Sequence, residues 1–203
     1  MKTIVITGGT GDLGSVVVPR LLCDYRCVVV YRTRESFDKL AAHENLIGAA
    51  SPDDAAAFAP LDALVNLAGG FGGGASPEDF TRQLDTNLMP FVRAVHALAP
   101  HLGDGGRIVA MSSVASQTTP AGIGAYVASK AALNGYIGSL AKELGKRGIT
   151  VNALLPGSID TPANRASTPA SKLVPAAGIA DLIAYLLSDE SRHLNGQLLG
   201  VTP

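Results

Sequence analysis

Short apolar, β-branched runs alternate along this chain with longer stretches in which apolar residues recur at helical spacing. Residues 2–6, Lys-Thr-Ile-Val-Ile, read as a buried strand, and residues 15–22 as a helix with Pro19 inside it. The run Cys27-Val28-Val29-Val30-Tyr31 predicts a second strand. A short helix over 36–42, a third strand over 45–48 and a helix over 52–58 follow, then a fourth strand over 61–65. Residues 77–98 predict one long helix. Pro77 suits its first turn, and Glu78 and Asp79 suit its dipole. Pro90 lacks a backbone donor, which predicts a kink near Asn87. A fifth strand over 106–111, a long helix over 126–145, a sixth strand over 150–155, a helix over 179–187 and a seventh strand over 198–201 complete the pattern. Regular alternation of strand and helix predicts an α/β fold, a doubly wound parallel sheet of six to seven strands with helices on both faces. No repeat or linker divides the sequence, so residues 1–203 are expected to form one domain.

Composition narrows the function more than the fold. Hydrophobic residues make up 47% and charged residues 16%, which fits a folded core and not a disordered chain. A net charge of -1, with no basic stripe, gives no attraction to nucleic acid or to an anionic membrane. No apolar run reaches the ~18 residues of a membrane span. The N-terminal residues read as a strand and not as a signal peptide, so a cytoplasmic protein is expected. Cys23 and Cys27 have no companion His/Cys cluster and are read as free thiols, with no metal.

Six local patterns carry candidate chemistry. The first strand runs into Thr7-Gly8-Gly9-Thr10-Gly11-Asp12-Leu13-Gly14, then a helix. Gly9-x-Gly11-x-x-Gly14 in that context fits a dinucleotide-binding turn, where glycines let backbone approach a pyrophosphate at free helix N–H groups. Asp12 should point away from phosphate. At the end of the second strand an NAD site would place an acid to hold the ribose hydroxyls. Here stand Arg32 and Arg34, whose guanidinium groups suit a 2′-phosphate, so NADP(H) is preferred over NAD(H), with Arg32 the better candidate. The fourth strand leads into Asn66-Leu67-Ala68-Gly69-Gly70 and the glycine-rich Phe71-Gly72-Gly73-Gly74. Small residues at a strand's carboxyl end let a ligand lie against backbone. Ser113 ends the fifth strand, and Pro156-Gly157-Ser158-Ile159-Asp160-Thr161 follows the sixth. Tyr126 and Lys130 are four apart on a helix and so share a face. An ammonium beside a phenol would lower the phenol's pKa, which makes the pair a plausible general acid/base.

In this order these residues resemble the short-chain dehydrogenases/reductases over nearly the whole chain. The resemblance implies a Rossmann-type fold and an NAD(P)-dependent oxidoreductase that interconverts a carbonyl and an alcohol on a small molecule. Asn87, Ser113, Tyr126 and Lys130 match the family's catalytic tetrad. By that likeness Tyr126 exchanges the proton, and Lys130 lowers its pKa and holds the nicotinamide ribose. Ser113 bonds the substrate oxygen, and Asn87 holds a relay water. Gly8, Thr10, Gly11, Asp12, Leu13, Gly14, Arg32, Asn66, Ala68, Gly69 and Pro156 would join Tyr126 and Lys130 in holding cofactor, with Ile159 and Thr161 at the carboxamide. Three departures stand out. Glycines at 8, 11 and 14 are spaced as in the family's longer, sugar-nucleotide-modifying branch. Asp12 takes a common glycine position, and Leu67 replaces an Asn. Residues 162–175 stand for a substrate loop that is short here. Thr161-Pro162-Ala163-Asn164-Arg165, together with Ala68-Gly69-Gly70-Phe71, is also similar to the dihydropteridine reductase branch, which implies a quinonoid substrate as one alternative. A dinucleotide-sensing regulator without activity is another, although such relatives tend to lose the Tyr-Lys pair. Family habit implies a homodimer or homotetramer.

Overall fold

Seven strands form one parallel sheet in the order β3-β2-β1-β4-β5-β6-β7 in the computed structural model, which describes all 203 residues. The strands are β1 (Lys2–Thr7), β2 (Tyr25–Val30), β3 (Leu46–Ala49), β4 (Leu61–Asn66), β5 (Leu102–Met111), β6 (Thr150–Pro156) and β7 (Leu198–Val201). The helices are α1 (Gly14–Leu22), α2 (Arg34–Asp38), α3 (Pro52–Ala56), α4 (Pro77–Asn87), α5 (Met89–Leu98), α6 (Ala115–Thr118), α7 (Gly124–Leu144), α8 (Pro162–Arg165) and α9 (Ala176–Leu187).

Alternation along each strand splits the core into two layers. Val5, Val28, Leu64, Ile108 and Val151 face α3, α5 and α7, where Phe91, Leu98, Leu133 and Ile137 meet them. Ile4, Ile6, Val29, Val65, Val109 and Leu154 point the other way, onto Val17 and Leu21 of α1 and Ile179 and Ile183 of α9. Both faces are covered, which is why the strands are continuous apolar runs. The chain is a doubly wound α/β protein, as its pattern predicts.

The strand order reverses between β1 and β4. Ligands of such sheets bind at that switch point, outside the carboxyl ends of the strands. β1 and β4 pair through Thr7 and Asn66 at this edge, where the Thr7 hydroxyl donates to Asn66 Oδ1 over 2.6 Å.

The helix expected over 77–98 is two. Leu88, with φ -103° and ψ -54°, separates α4 from α5, two residues before Pro90. Pro90 has no N–H to give the carbonyl one turn back, so the ladder breaks where the sequence suggests. α4 itself starts from a capping box. Ser76 accepts from the Asp79 N–H over 3.2 Å and the Asp79 carboxylate accepts from the Ser76 N–H over 3.1 Å. The helix carrying Tyr126 begins two residues earlier than expected, at Gly124.

Candidate active site

The turn between β1 and α1 is built by close approach. Gly8 adopts φ +71°, and a Cβ there would stand 2.5 Å from the Ala68 nitrogen. The ends of β1 and β4 therefore touch backbone to backbone. Gly14 packs so tightly on the Gly9 carbonyl that no side chain fits there either. A Cβ on Gly11 would meet only the Gly8 carbonyl oxygen, at 3.5 Å, and Gly11 is exposed, so the backbone here is bare to a ligand. Leu13 gives α1 no side-chain cap, and the amides of Asp12, Leu13 and Gly14 make no hydrogen bond. Free N–H groups at the start of a nine-residue helix fit a phosphate. Asp12 is exposed and pairs with no cation.

Beyond β2, the two arginines part company. Arg34 donates to Asp38 over 2.8 Å and lies 5.3 Å from the Phe37 ring centre. Arg32 is exposed and has no partner, so its guanidinium is free for an anion. This is the donor set a 2′-phosphate would need.

At the carboxyl ends of β4 and β5, side chains from the segment after β5, from α7 and from α4 converge. Ser113 follows β5, and its Oγ accepts from the Ala115 N–H over 3.2 Å. Tyr126 and Lys130 stand on α7. Burial holds the Tyr126 phenol above its ordinary value, opposed by the Ser113 hydroxyl that faces it. Lys130 is only 4% exposed. Its Nζ donates to the Met111 carbonyl over 2.9 Å and lies 6.0 Å from the Tyr126 ring centre. Burial lowers this ammonium to about 8. The expected drop in the Tyr126 pKa is not seen: lysine is turned to a strand end, and desolvation of the phenol dominates.

Asn87 is fully buried, at the last residue of α4. Its Oδ1 accepts from the Gly70 N–H over 3.0 Å, and its Nδ2 donates to the Gly70 carbonyl over 3.1 Å. The same Nδ2 reaches Gln83 Oε1 at 2.9 Å and Ser129 Oγ at 3.1 Å. The side chain is therefore spent on locking the loop after β4 to α4 and α7. A Cβ on Gly69 would stand 2.9 Å from Asn87 Oδ1 and 3.1 Å from Lys130 Nζ, so only glycine fits between them.

Comparison with known proteins now bears on this arrangement. A family model described as enoyl-(acyl carrier protein) reductase matches residues 41–202. The chain belongs to the short-chain dehydrogenases/reductases. It is 31% identical to the cyclic-di-GMP-binding biofilm dispersal mediator protein of Escherichia coli (strain K12), over 97% of this chain and 94% of that one. A short-chain dehydrogenase/reductase from Serratia marcescens BCRC 10948 superposes with TM-score 0.89 at 27% identity, covering 98% of this chain and 96% of the other. A short-chain dehydrogenase from Burkholderia cenocepacia J2315, solved in complex with NADP, gives 0.87 at 32% identity with the same coverage. This short-chain dehydrogenase/reductase is thus an NAD(P)-dependent oxidoreductase with a small-molecule substrate.

In this oxidoreductase Pro156 ends β6, and its carbonyl accepts from the Val114 N–H over 3.1 Å, tying the Ser113 segment to the next strand. Ile159 bridges to Val174, and Thr161 Oγ1 accepts from the Asn164 N–H over 3.3 Å to cap α8. Residues 162–175 are one helical turn, a 3-10 turn and little else, mostly exposed. Sequence reasoning missed Gln83 and Ser129, which hold Asn87. It also missed Ser116 and Asn134: Asn134 Nδ2 donates to Ser116 Oγ over 2.9 Å, and Ser116 donates to the Ser113 carbonyl over 2.6 Å. The i, i+4 spacing of Gln83 and Asn87 was the one signal available. Phe71 lies 5.2 Å from Tyr126, ring centre to ring centre, in an edge-to-face pair at 69°.

Proposed function

We propose that this chain is an NADPH-dependent oxidoreductase that interconverts a carbonyl and an alcohol on a small molecule, using Tyr126, Lys130, Ser113 and Asn87. The observation that carries the reading is the approach of Ser113 and Tyr126, beside buried Lys130, at the carboxyl end of β5, on the same sheet edge as the switch point between β1 and β4. The Burkholderia relative holds NADP, and unpaired Arg32 supplies the charge that a 2′-phosphate needs. The amides of Asp12 to Gly14, with bare Gly11 and the backbone of Gly8 and Thr10, would receive the pyrophosphate. Asn66, Ala68 and Gly69 would line the ribose side, and Pro156, Ile159 and Thr161 the nicotinamide side. When bound, the cofactor supplies or accepts the hydride.

The chain's own residues move the proton. A phenol held above its ordinary value is protonated at neutral pH, so Tyr126 is ready to donate to the substrate oxygen during reduction. Ser113 Oγ donates a hydrogen bond to the same oxygen as charge develops there. A charged Lys130 favours the phenolate that remains. Since the Asn87 side chain is spent on Gly70, Gln83 and Ser129, a relay water would have to use its main-chain carbonyl.

The test is Tyr126→Phe. Turnover of a carbonyl with NADPH should fall by about 10²- to 10⁴-fold, the usual worth of a general acid, while the variant still binds NADPH through its remaining contacts. Undiminished turnover would remove Tyr126 from the chemistry. A second reading comes from the Escherichia coli relative, which is named for binding a cyclic dinucleotide. A dinucleotide-binding regulator would show no turnover in the wild type and no change in binding on Tyr126→Phe.

A homo-oligomer is also part of this reading. A Cβ on Gly135 or Gly138 would meet nothing, and Ala131 and Ala132 are exposed, so α7 offers small residues to a second copy. Sedimentation of the wild type as a monomer would remove it.

A further inference from the structure

The loop after β4 looks like a flexible linker by composition, but it is held at every step. Gly70 is gripped through both its N–H and its carbonyl by Asn87. Gly72 packs against the Gln83 amide with no room for a side chain. The Gly73 carbonyl accepts from Arg82 over 3.4 Å, and the Gly74 carbonyl from the Ala125 N–H over 3.4 Å. Gly74, at φ +99°, leans on the Asp79 carboxylate that the capping box of α4 immobilises. Between these clamps stands one large side chain. Phe71 is 73% exposed, yet its ring lies 5.2 Å from that of Tyr126.

A single exposed aromatic is ordinary on a protein surface. One presented by a clamped loop, and paired to the phenol that would exchange the proton, is placed for a ligand. No charged residue occurs from Leu67 to Ser76, so the wall is apolar and neutral. An edge-to-face pair with Phe71 this exposed leaves ring surface open beside Tyr126, and rings accept further rings by offset stacking or edge contact.

We propose that Phe71 is a specificity-determining residue that contacts substrate, its ring forming one wall beside Tyr126 and selecting carbonyl compounds that carry a planar, conjugated group on the carbonyl carbon. This inference rests on the carbonyl-alcohol reading above and adds a substrate class to it. Aryl ketones and quinonoid compounds share that chemistry.

Two ketones of similar size test it, acetophenone and cyclohexyl methyl ketone, titrated calorimetrically into the protein loaded with NADP+. Both partners are oxidised, so no hydride moves and binding alone is read. The wild type should favour the aryl ketone by about five- to tenfold, the scale of one aromatic pair. Phe71→Leu should shrink that preference below about twofold, with an unchanged melting temperature because the ring is exposed, while Phe71→Tyr should retain it. No ketone binding, no preference in the wild type, or a preference that survives Phe71→Leu would overturn the proposal. Phe71→Leu should change the kcat/KM ratio for the two ketones with NADPH by the same factor as it changes the binding ratio. If the preference depends on Phe71 but the wild type reduces neither ketone, the binding assignment stands and the reductase reading falls. If both are reduced and the preference ignores Phe71, the reverse holds.

Discussion

Lys130 is a buried ammonium, and its burial has a cost. Burial lowers its ammonium from an ordinary 10.5 to about 8, and its one hydrogen bond goes to the Met111 carbonyl. The unfolded chain binds this proton more tightly than the folded one. Below pH 8 the folded protein therefore carries the whole penalty, and the penalty fades as pH rises toward 10.5. Stability should rise by about 2 kcal/mol between pH 8 and pH 10 from this group. Tyr25, Tyr126 and Tyr136 are all raised by burial, which lowers stability only above their ordinary value of 10 and in any variant alike. Urea unfolding at pH 8 and pH 10 should thus show the rise in the wild type and lose it in Lys130→Met. Parallel pH dependence in the two would mean that Lys130 is charged and solvated in the folded state. A rise that Lys130→Met abolishes would show the burial penalty to be real. A lysine that gives up a hydrated position for one beside a phenol costs stability, and its use in turnover is a reason to bear that cost.

At the scale of elements, the turn from β1 to α1 shows how a glycine pattern acts. Gly8→Ala would put a Cβ 2.5 Å from the Ala68 nitrogen at φ +71°. A left-handed alanine alone costs about 1–2 kcal/mol, and the clash separates β1 from β4 besides. We expect a loss of at least about 2 kcal/mol in chemical unfolding, together with lost NADPH binding. Normal stability would mean the two strand ends can part freely. Gly8, Gly11 and Gly14 were legible because punctuation after a β-branched run is a strong local signal, and so was the break at Leu88, two residues before Pro90. The start of β2 at Tyr25 was hidden because exposed Arg26 interrupts the apolar run, although it pairs with Thr3. α6 could not be seen at all. Its four residues have no periodicity, and Asn134, eighteen residues beyond Ser116, reaches across to hold it. Phe71 was hidden for a related reason. A lone aromatic among glycines acquires meaning only when Asn87, Gln83 and Arg82 pin the loop that carries it.

For the whole molecule, the sheet works as a frame that brings together the ends of five strands. Gly8 follows β1, Arg32 follows β2, Asn66 ends β4, Ser113 follows β5 and Pro156 ends β6. A cofactor lying along that edge would tie all five together, so its binding should register as stability of the entire chain. At 100 times its Kd a ligand that binds only the folded state adds about 2.7 kcal/mol. For a protein of this size each kcal/mol raises the Tm by about 2–4 °C, so NADPH should raise it by about 5–11 °C. NADH at the same concentration should raise it less, because it leaves Arg32 without an anion. Arg32→Asp should reverse that order, since a carboxylate repels the 2′-phosphate and can accept from ribose hydroxyls. A reversal would assign the Arg32 guanidinium to the 2′-phosphate, with no help needed from Arg34, which Asp38 already holds. An unchanged order would place the selecting charge elsewhere on the edge. If neither nucleotide shifts the Tm, exposed Asp12 at the head of α1 repels the pyrophosphate more strongly than the free amides attract it, and the site does not load.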